Sequence, residues 1–211
     1  VGIPSVLMMA IGSVMNFGIN QVLLGFGAIG LVGSAVFGLY FKLQSFVFMP
    51  VFGLNNATIP IVAFNYGARN PRRITGTLKL TVASVMAVML LGVAAFQLIP
   101  QVLLGMFNPS DEFLSIGRSA LRTISWSFPI AAVCIVLGAC FQALGNGIYS
   151  TITSICRQLL VLLPSAFILA ELGGLDAVWW AFPIAEVVSL VISVFFYARI
   201  YRLRIKPLYN K

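Results

Sequence analysis

The stretch LTVASVMAVMLLGVAAFQLI, residues 80–99, decides the fold class, because it contains no charged residue. A helix needs about 20 mostly apolar residues to cross the ~30 Å hydrocarbon core of a bilayer. Further charge-free runs cover residues 1–41, 43–68 and 123–156. Only 9% of the 211 residues are charged, against about 25% in a typical soluble protein. The sequence therefore excludes a soluble domain and predicts an all-α membrane protein.

Six hydrophobic spans fit the chain, and we expect one six-helix transmembrane bundle over residues 1–200, followed by a basic cytoplasmic tail, residues 201–211. Glycine-rich residues 25–33 separate the first two spans. The segment before the fourth span predicts a helix start, with Asn108 as cap and Pro109 at the first helical position. The predicted spans are residues 3–24, 34–64, 78–99, 113–144, 151–170 and 178–200.

Basic residues collect on one side of this predicted bundle. Six spans place both termini on the same side as the loops 65–77 and 145–150, together with ten of the thirteen Lys and Arg residues. The opposite side carries Asp111, Glu112, Glu171 and Asp176, with Arg118 and Arg122, which we expect to pair with Asp111 and Glu112. The positive-inside rule then places both termini in the cytoplasm, and we expect the chain to lie in the plasma (inner) membrane. The basic residues are explained by orientation, so nucleic acid is not an expected partner.

Several kinds of chemistry are excluded by composition. The chain has no histidine, which removes Ser-His and Cys-His catalysis and histidine-ligated metals. Its three cysteines lie in apolar runs without CxxC spacing. Residues 25–30 match GxGxxG, but a dinucleotide site needs a strand before the motif and an acidic residue after it. We therefore expect no enzymatic activity, cofactor or metal.

Polar residues within the predicted spans are candidates for a transport path, because polar groups are costly in hydrocarbon. Ser13, Asn16 and Asn20 share one face of the first helix at spacings i, i+3 and i+7. Two interpretations remain open, namely hydrogen bonds between helices and the lining of a hydrated path. The candidates are Asn16, Asn20, Lys42, Gln44, Asn55, Gln142 and Glu186.

Two of these candidates carry charge deep in the predicted membrane region. Lys42 and Glu186 each lie about eight residues, or roughly 12 Å, from the outer end of a predicted span. Equal depth makes an ion pair between them possible. Such a pair would lock the bundle, whereas a free Glu186 would bind a cation or titrate. Prolines 50, 60, 129, 164 and 183 also lie within spans, where they predict kinks that are either structural or part of a transport cycle.

Motifs along most of the chain resemble the multidrug and toxic compound extrusion (MATE) family. They are PVFGL at 50–54, NYGARNPRR at 65–73, FQALGNG at 141–147, Arg157 followed by Leu163-Pro164, and AVWWAFP at 177–183. The resemblance implies one lobe of a twelve-helix, two-bundle transporter, here the C-terminal six-helix half, with the N-terminal half as its partner. A chain that does not begin with methionine fits a piece of a longer protein.

The resemblance also implies a cation-coupled multidrug efflux antiporter that exports amphipathic, mostly cationic compounds in exchange for H⁺ or Na⁺. Gly12 and Ala131 stand where the Na⁺-coupled branch of the family carries a glutamate and an aspartate, so Glu186 is the acidic residue left in the predicted membrane region. One alternative is a lipid-linked saccharide flippase, which would need a strongly basic cavity. Another is a non-transporting membrane assembly subunit. An intramembrane protease is excluded by the lack of histidine and of membrane aspartates.

Overall fold

A computed structural model describes the backbone of residues 2–107 and 110–210 and the side chains of residues 10–107 and 110–209. These residues are almost entirely helical. The α-helices are α1 (Gly2–Leu24), α2 (Ala28–Gly67), α3 (Pro71–Leu98), α4 (Pro100–Gly105), α5 (Asp111–Ser125), α6 (Phe128–Ala143), α7 (Gly147–Ile155), α8 (Leu163–Val178) and α9 (Ala181–Ile200). A π-helical turn, Cys156–Leu162, joins α7 to α8, and a second π turn, Tyr201–Ile205, leads into a 3₁₀ turn, Lys206–Asn210. Residues 201–210, predicted as a tail, therefore continue the last helix.

A tight turn over residues 25–27 connects α1 to α2. Gly27 adopts φ of +67°, which glycine reaches without strain. A Cβ at Gly30 would overlap the backbone carbonyl of Leu23, so the two helices approach closely there. Helix α2 begins at Ala28, six residues before the predicted span, because Gly30 and Gly33 pack inside the helix rather than extend the turn.

Helices α2 and α3 form a long pair. Helix α2 runs for 40 residues without interruption at Pro50 or Pro60. Helix α3 begins at Pro71, with the Asn70 side chain accepting a hydrogen bond from the Arg73 backbone N–H. Midway along the pair, the hydroxyls of Thr58 and Thr81 lie 2.9 Å apart in a buried contact.

The predicted fourth span is broken in two. Helices α5 and α6 are bent by 48° at Trp126 and Ser127, immediately before Pro129 in the first turn of α6. The side-chain amide of Gln97 on α3 braces the break by donating to the Arg122 carbonyl and the Ser125 hydroxyl.

The start of α5 differs in detail from the prediction. Asn108 and Pro109, the predicted cap and first helical residue, lie outside the described residues. The helix begins at Asp111, and the Ser110 hydroxyl caps it by accepting from the Phe113 N–H.

The expected pairing of Arg118 and Arg122 with Asp111 and Glu112 was wrong, since none of these forms an ion pair with another described residue. Residues six or more apart on a helix are separated by nearly 10 Å or more along its axis, beyond the i+3 and i+4 spacing that lets side chains meet. The guanidinium of Arg122 donates instead to the Gln97 carbonyl.

Prolines in the last two helices act differently from one another. Pro164 follows the π turn directly, and its missing N–H removes a donor from the helical ladder there. Pro183 lies in the first turn of α9, where an N–H has no intrahelical partner in any case. The expected kink at Pro183 was therefore wrong, because the helix begins at Ala181.

Helix α6 forms the centre of the bundle and packs against α2, α3 and α9. Phe128 and Phe141 on this helix are fully buried, as is Trp179 before α9. By length and hydropathy, four described helical segments could each cross a membrane, namely 28–67, 71–98, 147–178 and 181–209. The bent pair α5–α6 would make a fifth, and the described part of α1 is shorter, so the predicted count of six is not confirmed.

Candidate functional site

A cavity of about 540 Å³, here called the main cavity, lies among the described residues. Its wall comes from α1, α2, α6, the first π turn and α9. Five aromatic side chains line it: Tyr40, Phe41, Phe48, Phe52 and Phe182. The ring of Tyr40 lies 5.6 Å from that of Phe41 and 6.1 Å from that of Phe182, measured between centroids. This wall is largely apolar and aromatic; the Tyr40 ring is buried among the others, whereas Phe52 is 53% exposed.

An ion pair between Arg157 and Glu186 lies in the wall of the main cavity. The Arg157 Nη1 atom donates to Glu186 Oε1 at 2.9 Å, and the two side chains are 28% and 13% exposed. Among the described residues that line the cavity, these two carry the only charges. The main cavity is thus an aromatic site with one carboxylate, and that carboxylate is already paired.

The suggested Lys42–Glu186 pair was wrong. Lys42 instead lines a separate cavity of about 430 Å³ with Phe107, Ser110 and Phe113. Helix α2 begins before the predicted span, which changes the depth assigned to Lys42, and equal depth does not fix the direction around a helix axis. Arg157 lies ten residues into the helix that starts at Gly147, so it reaches Glu186 rather than the loop.

A smaller chamber, here called the polar chamber, lies on the other side of Arg157 and has a volume of about 170 Å³. Arg157 lines both the polar chamber and the main cavity. Asn55, Gln142, Ser189 and Ser193 also line the polar chamber. The Asn55 Oδ1, Ser189 Oγ and Ser193 Oγ atoms are buried, and within the described part of the chain they have no hydrogen-bond partner. The same holds for Oε2 of Glu186.

The structure separates the predicted transport-path residues into distinct places. Asn16, Gln44 and Glu186 line the main cavity, and Asn55 and Gln142 line the polar chamber.

Asn20 forms a hydrogen bond between helices, which is one of the two interpretations that the sequence left open. Its Oδ1 accepts from the Ser34 hydroxyl at 2.6 Å, which joins α1 to α2, and its amide donates to the Asn16 carbonyl.

Gly12 and Ala131, the two positions without the expected carboxylates, both line the main cavity. A Cβ at Gly12 would meet only Gln158 Oε1 among the described atoms, at 3.9 Å, so the position is open. The main cavity therefore has Glu186 on α9 as its acidic group among the described lining residues.

Sequence reasoning missed the role of Arg157, which it assigned to membrane orientation. One signal was present, because Arg157 ends the charge-free run 123–156 and precedes a second apolar run. Ser189 and Ser193 were also missed. Their spacing from Glu186, i+3 and i+7, places all three on one face of α9.

The sequence model of the MatE family matches residues 4–168. This chain belongs to the MatE family. It is therefore a multi-pass membrane protein of a transporter family, and its relatives are multidrug transporters. A curated relative, the multidrug export protein MepA of Staphylococcus haemolyticus (strain JCSC1435), is 26% identical over 195 residues, which are 92% of this chain and 42% of MepA.

Solved structures of MATE transporters have the same fold. An inward-facing conformation of a multidrug resistance MATE family transporter of the MOP superfamily matches with a TM-score of 0.87 and 26% identity over 100% of this chain and 48% of the other. An outward-facing conformation of such a transporter matches with a TM-score of 0.88 and 27% identity over 99% and 46%. The chain thus spans less than half the length of the relatives that it matches.

Proposed function

We propose that this chain is the C-terminal half of a cation-coupled multidrug exporter, an antiporter that moves amphipathic, mostly cationic compounds by alternating access in exchange for H⁺ or Na⁺. The observation that carries the proposal is the main cavity, with its five aromatic side chains and the carboxylate of Glu186. Its volume of about 540 Å³ lies within the range of roughly 300–1,000 Å³ that is typical of small-molecule sites.

The chemistry of the main cavity suits amphipathic cations. Aromatic rings such as Phe52 and Phe182 can attract a cation through the ring quadrupole and hold apolar groups of varied shape by dispersion. Glu186 supplies the single negative charge on which such a cation can settle. Aromatic and apolar side chains make up most of the lining, and such surfaces support recognition of many compounds rather than one.

Coupling follows from competition for the same carboxylate. A cation can drive a conformational change only through different affinities for the two states. H⁺ or Na⁺ bound at Glu186 would lower the affinity of the cavity for a cationic drug. A bound drug would in turn lower the affinity of Glu186 for H⁺ or Na⁺. Because Gly12 and Ala131 supply no carboxylate, the coupling role of this half falls on Glu186.

The proposed partner is an N-terminal six-helix half, since this chain spans less than half of its relatives. Similar TM-scores against inward-facing and outward-facing transporters support a half that moves as one body during alternating access. In this proposal the chain lies in the plasma (inner) membrane with both termini in the cytoplasm.

The flippase alternative is not favoured. A pyrophosphate-linked lipid would need several basic side chains in the central cavity. Arg157 is the basic residue among the described lining residues, and Glu186 neutralises it.

Ethidium efflux tests the proposal in cells that lack other drug exporters and express the full-length gene product. Glu186→Gln should lower efflux about tenfold or more, since a charge-assisted contact to the drug is lost. Glu171→Gln is the matched control and should leave efflux unchanged, because Glu171 is exposed on α8 outside both cavities.

Collapse of the H⁺ and Na⁺ gradients should abolish efflux in the unmodified protein. Efflux that persists without either gradient would contradict antiport. Absence of any efflux from well-expressed protein would favour the non-transporting subunit.

A further inference from the structure

We propose that Arg157 is an internal competitor for the cation site at Glu186 and has two docking positions. A substrate cation that binds Glu186 in the main cavity displaces the Arg157 guanidinium, which then moves into the polar chamber. This inference rests on the function proposed above. It assigns to Arg157 a specificity role that family membership does not supply.

The first docking position is the observed one. The guanidinium of Arg157 contacts Glu186 through a single Nη1–Oε1 bond, and the second carboxylate oxygen, Oε2, is buried without a partner among the described residues. The contact is therefore not the bidentate geometry that makes Arg–carboxylate pairs strongest. A cation that approaches from the main cavity meets a carboxylate that is held by one hydrogen bond.

The second docking position is the polar chamber, which Arg157 already lines. Three buried oxygen atoms there, Asn55 Oδ1, Ser189 Oγ and Ser193 Oγ, have no hydrogen-bond partner within the described residues. The weakly hydrogen-bonding thiol of Cys134 lies beside both serines. Buried polar atoms without partners are uncommon, and each calls for a group that can satisfy it. A guanidinium, which has five N–H donors and no acceptor, complements three such oxygens.

The geometry of α9 connects the two positions. Glu186, Ser189 and Ser193 share one face of the helix, and both serines are 1% exposed. The guanidinium can therefore pass from the carboxylate to the hydroxyls along one helix face. The chamber of about 170 Å³ is several times the ~30 Å³ that one water occupies in the liquid, so a planar group of four heavy atoms fits.

The two positions make displacement feasible and selective. A guanidinium displaced into apolar surroundings would be a buried, unpaired charge, which is strongly unfavourable. The oxygen atoms of the polar chamber would accept hydrogen bonds from the displaced guanidinium and so offset this cost. A substrate without positive charge has no means of displacing Arg157 and meets a neutral pair, so the arrangement favours cations.

The test is equilibrium binding of tetraphenylphosphonium, a lipophilic monovalent cation, to the purified full-length gene product. Arg157→Gln should tighten binding about tenfold, since the competitor is gone. The double variant Ser189→Ala/Ser193→Ala should weaken binding about tenfold when Arg157 is present, because the displaced guanidinium loses acceptors. The same double variant should have no effect in the Arg157→Gln background.

Ser45→Ala is the matched control. Ser45 lines the main cavity and bonds to the Phe41 carbonyl of its own helix, so its effect should not depend on Arg157. Equal weakening by Ser189→Ala/Ser193→Ala in both backgrounds would overturn the inference.

A structure of the unmodified protein with tetraphenylphosphonium bound provides a test that needs no variant. We expect the guanidinium of Arg157 on Asn55, Ser189 and Ser193, away from Glu186. Drug export together with an Arg157 that stays on Glu186 would overturn this inference and leave the proposed function standing. Absence of both tetraphenylphosphonium binding and drug efflux would overturn the proposed function as well.

Discussion

At the scale of single residues, the sequence singled out Lys42 and Glu186 as cavity candidates but did not predict their partners. Charge-free runs around Lys42 and Glu186 predict that both lie deep in the membrane, and both side chains line cavities in the structure. The partner of Glu186 could not be predicted, because it depends on the direction in which each side chain points around its helix. The π turn over Cys156–Leu162 changes that direction near Arg157, since i→i+5 bonding rotates the residues within it relative to a regular helix.

The buried hydroxyl pair of Thr58 and Thr81 gives a prediction about stability. Thr58→Val keeps the shape of the side chain and removes the bond between α2 and α3, so Thr81 loses its interhelical partner. We expect the free energy of unfolding to fall by about 1 kcal/mol, measured by SDS-induced unfolding in mixed micelles. Thr123→Val, at a half-buried position on α5, is the control and should change it less. If Thr58→Val and Thr81→Val were fully additive, the two hydroxyls would not interact.

At the scale of elements, the helices were predictable and their joints were less so. Apolar runs predicted the long helices, whereas the first turns of α3, the short helix α4 and the helical turns over 201–210 were not predicted. The 48° bend at Trp126–Ser127 agrees with the kink predicted for Pro129. The sequence did not predict two separate helices, because a proline is compatible with either a kink or a break. At the end of α5, the side-chain amide of Gln97 on α3 donates to the Arg122 carbonyl and the Ser125 hydroxyl. This contact comes from a residue far away in the sequence, so a local pattern does not reveal it.

The tight joint between α1 and α2 provides a second stability prediction. Gly30→Ala places a methyl group against the Leu23 carbonyl, and backbone cannot yield as a flexible side chain can. We expect a loss of about 1–3 kcal/mol in the free energy of unfolding. Gly38→Ala in the same helix is the control, because a Cβ there meets nothing within 4 Å among the described atoms. Equal effects of the two substitutions would show that the close approach at Gly30 does not limit packing.

At the scale of the whole molecule, the bent pair α5–α6 decides the topology. If it crosses the membrane as one span, Glu112 and Ile148 lie on opposite sides, as the predicted six-span orientation requires. We expect Glu112→Cys to react with an impermeant maleimide from outside the cell, and Ile148→Cys to react only after permeabilisation. Both positions are exposed. The three native cysteines are replaced beforehand.

Arg72→Cys, exposed at the start of α3, is the reference for the cytoplasmic side and should behave like Ile148→Cys. Labelling of Glu112→Cys from the same side as Ile148→Cys would show that α5 and α6 form a re-entrant pair.

Helix α2 is about 60 Å long for its 40 residues, roughly twice the hydrocarbon thickness of a bilayer. In a helix of this length, a small bend moves the end by a large distance. Pro50 lies between Met49 and Phe52, which both line the main cavity, so a bend at this proline would begin at the cavity wall. The segment from Pro50 to Gly67 is about 25 Å long, and a bend of roughly 10° at Pro50 would displace its end by about 4 Å. A small displacement at the cavity wall would therefore become a larger displacement at the C-terminal end of α2, next to the turn that leads into α3.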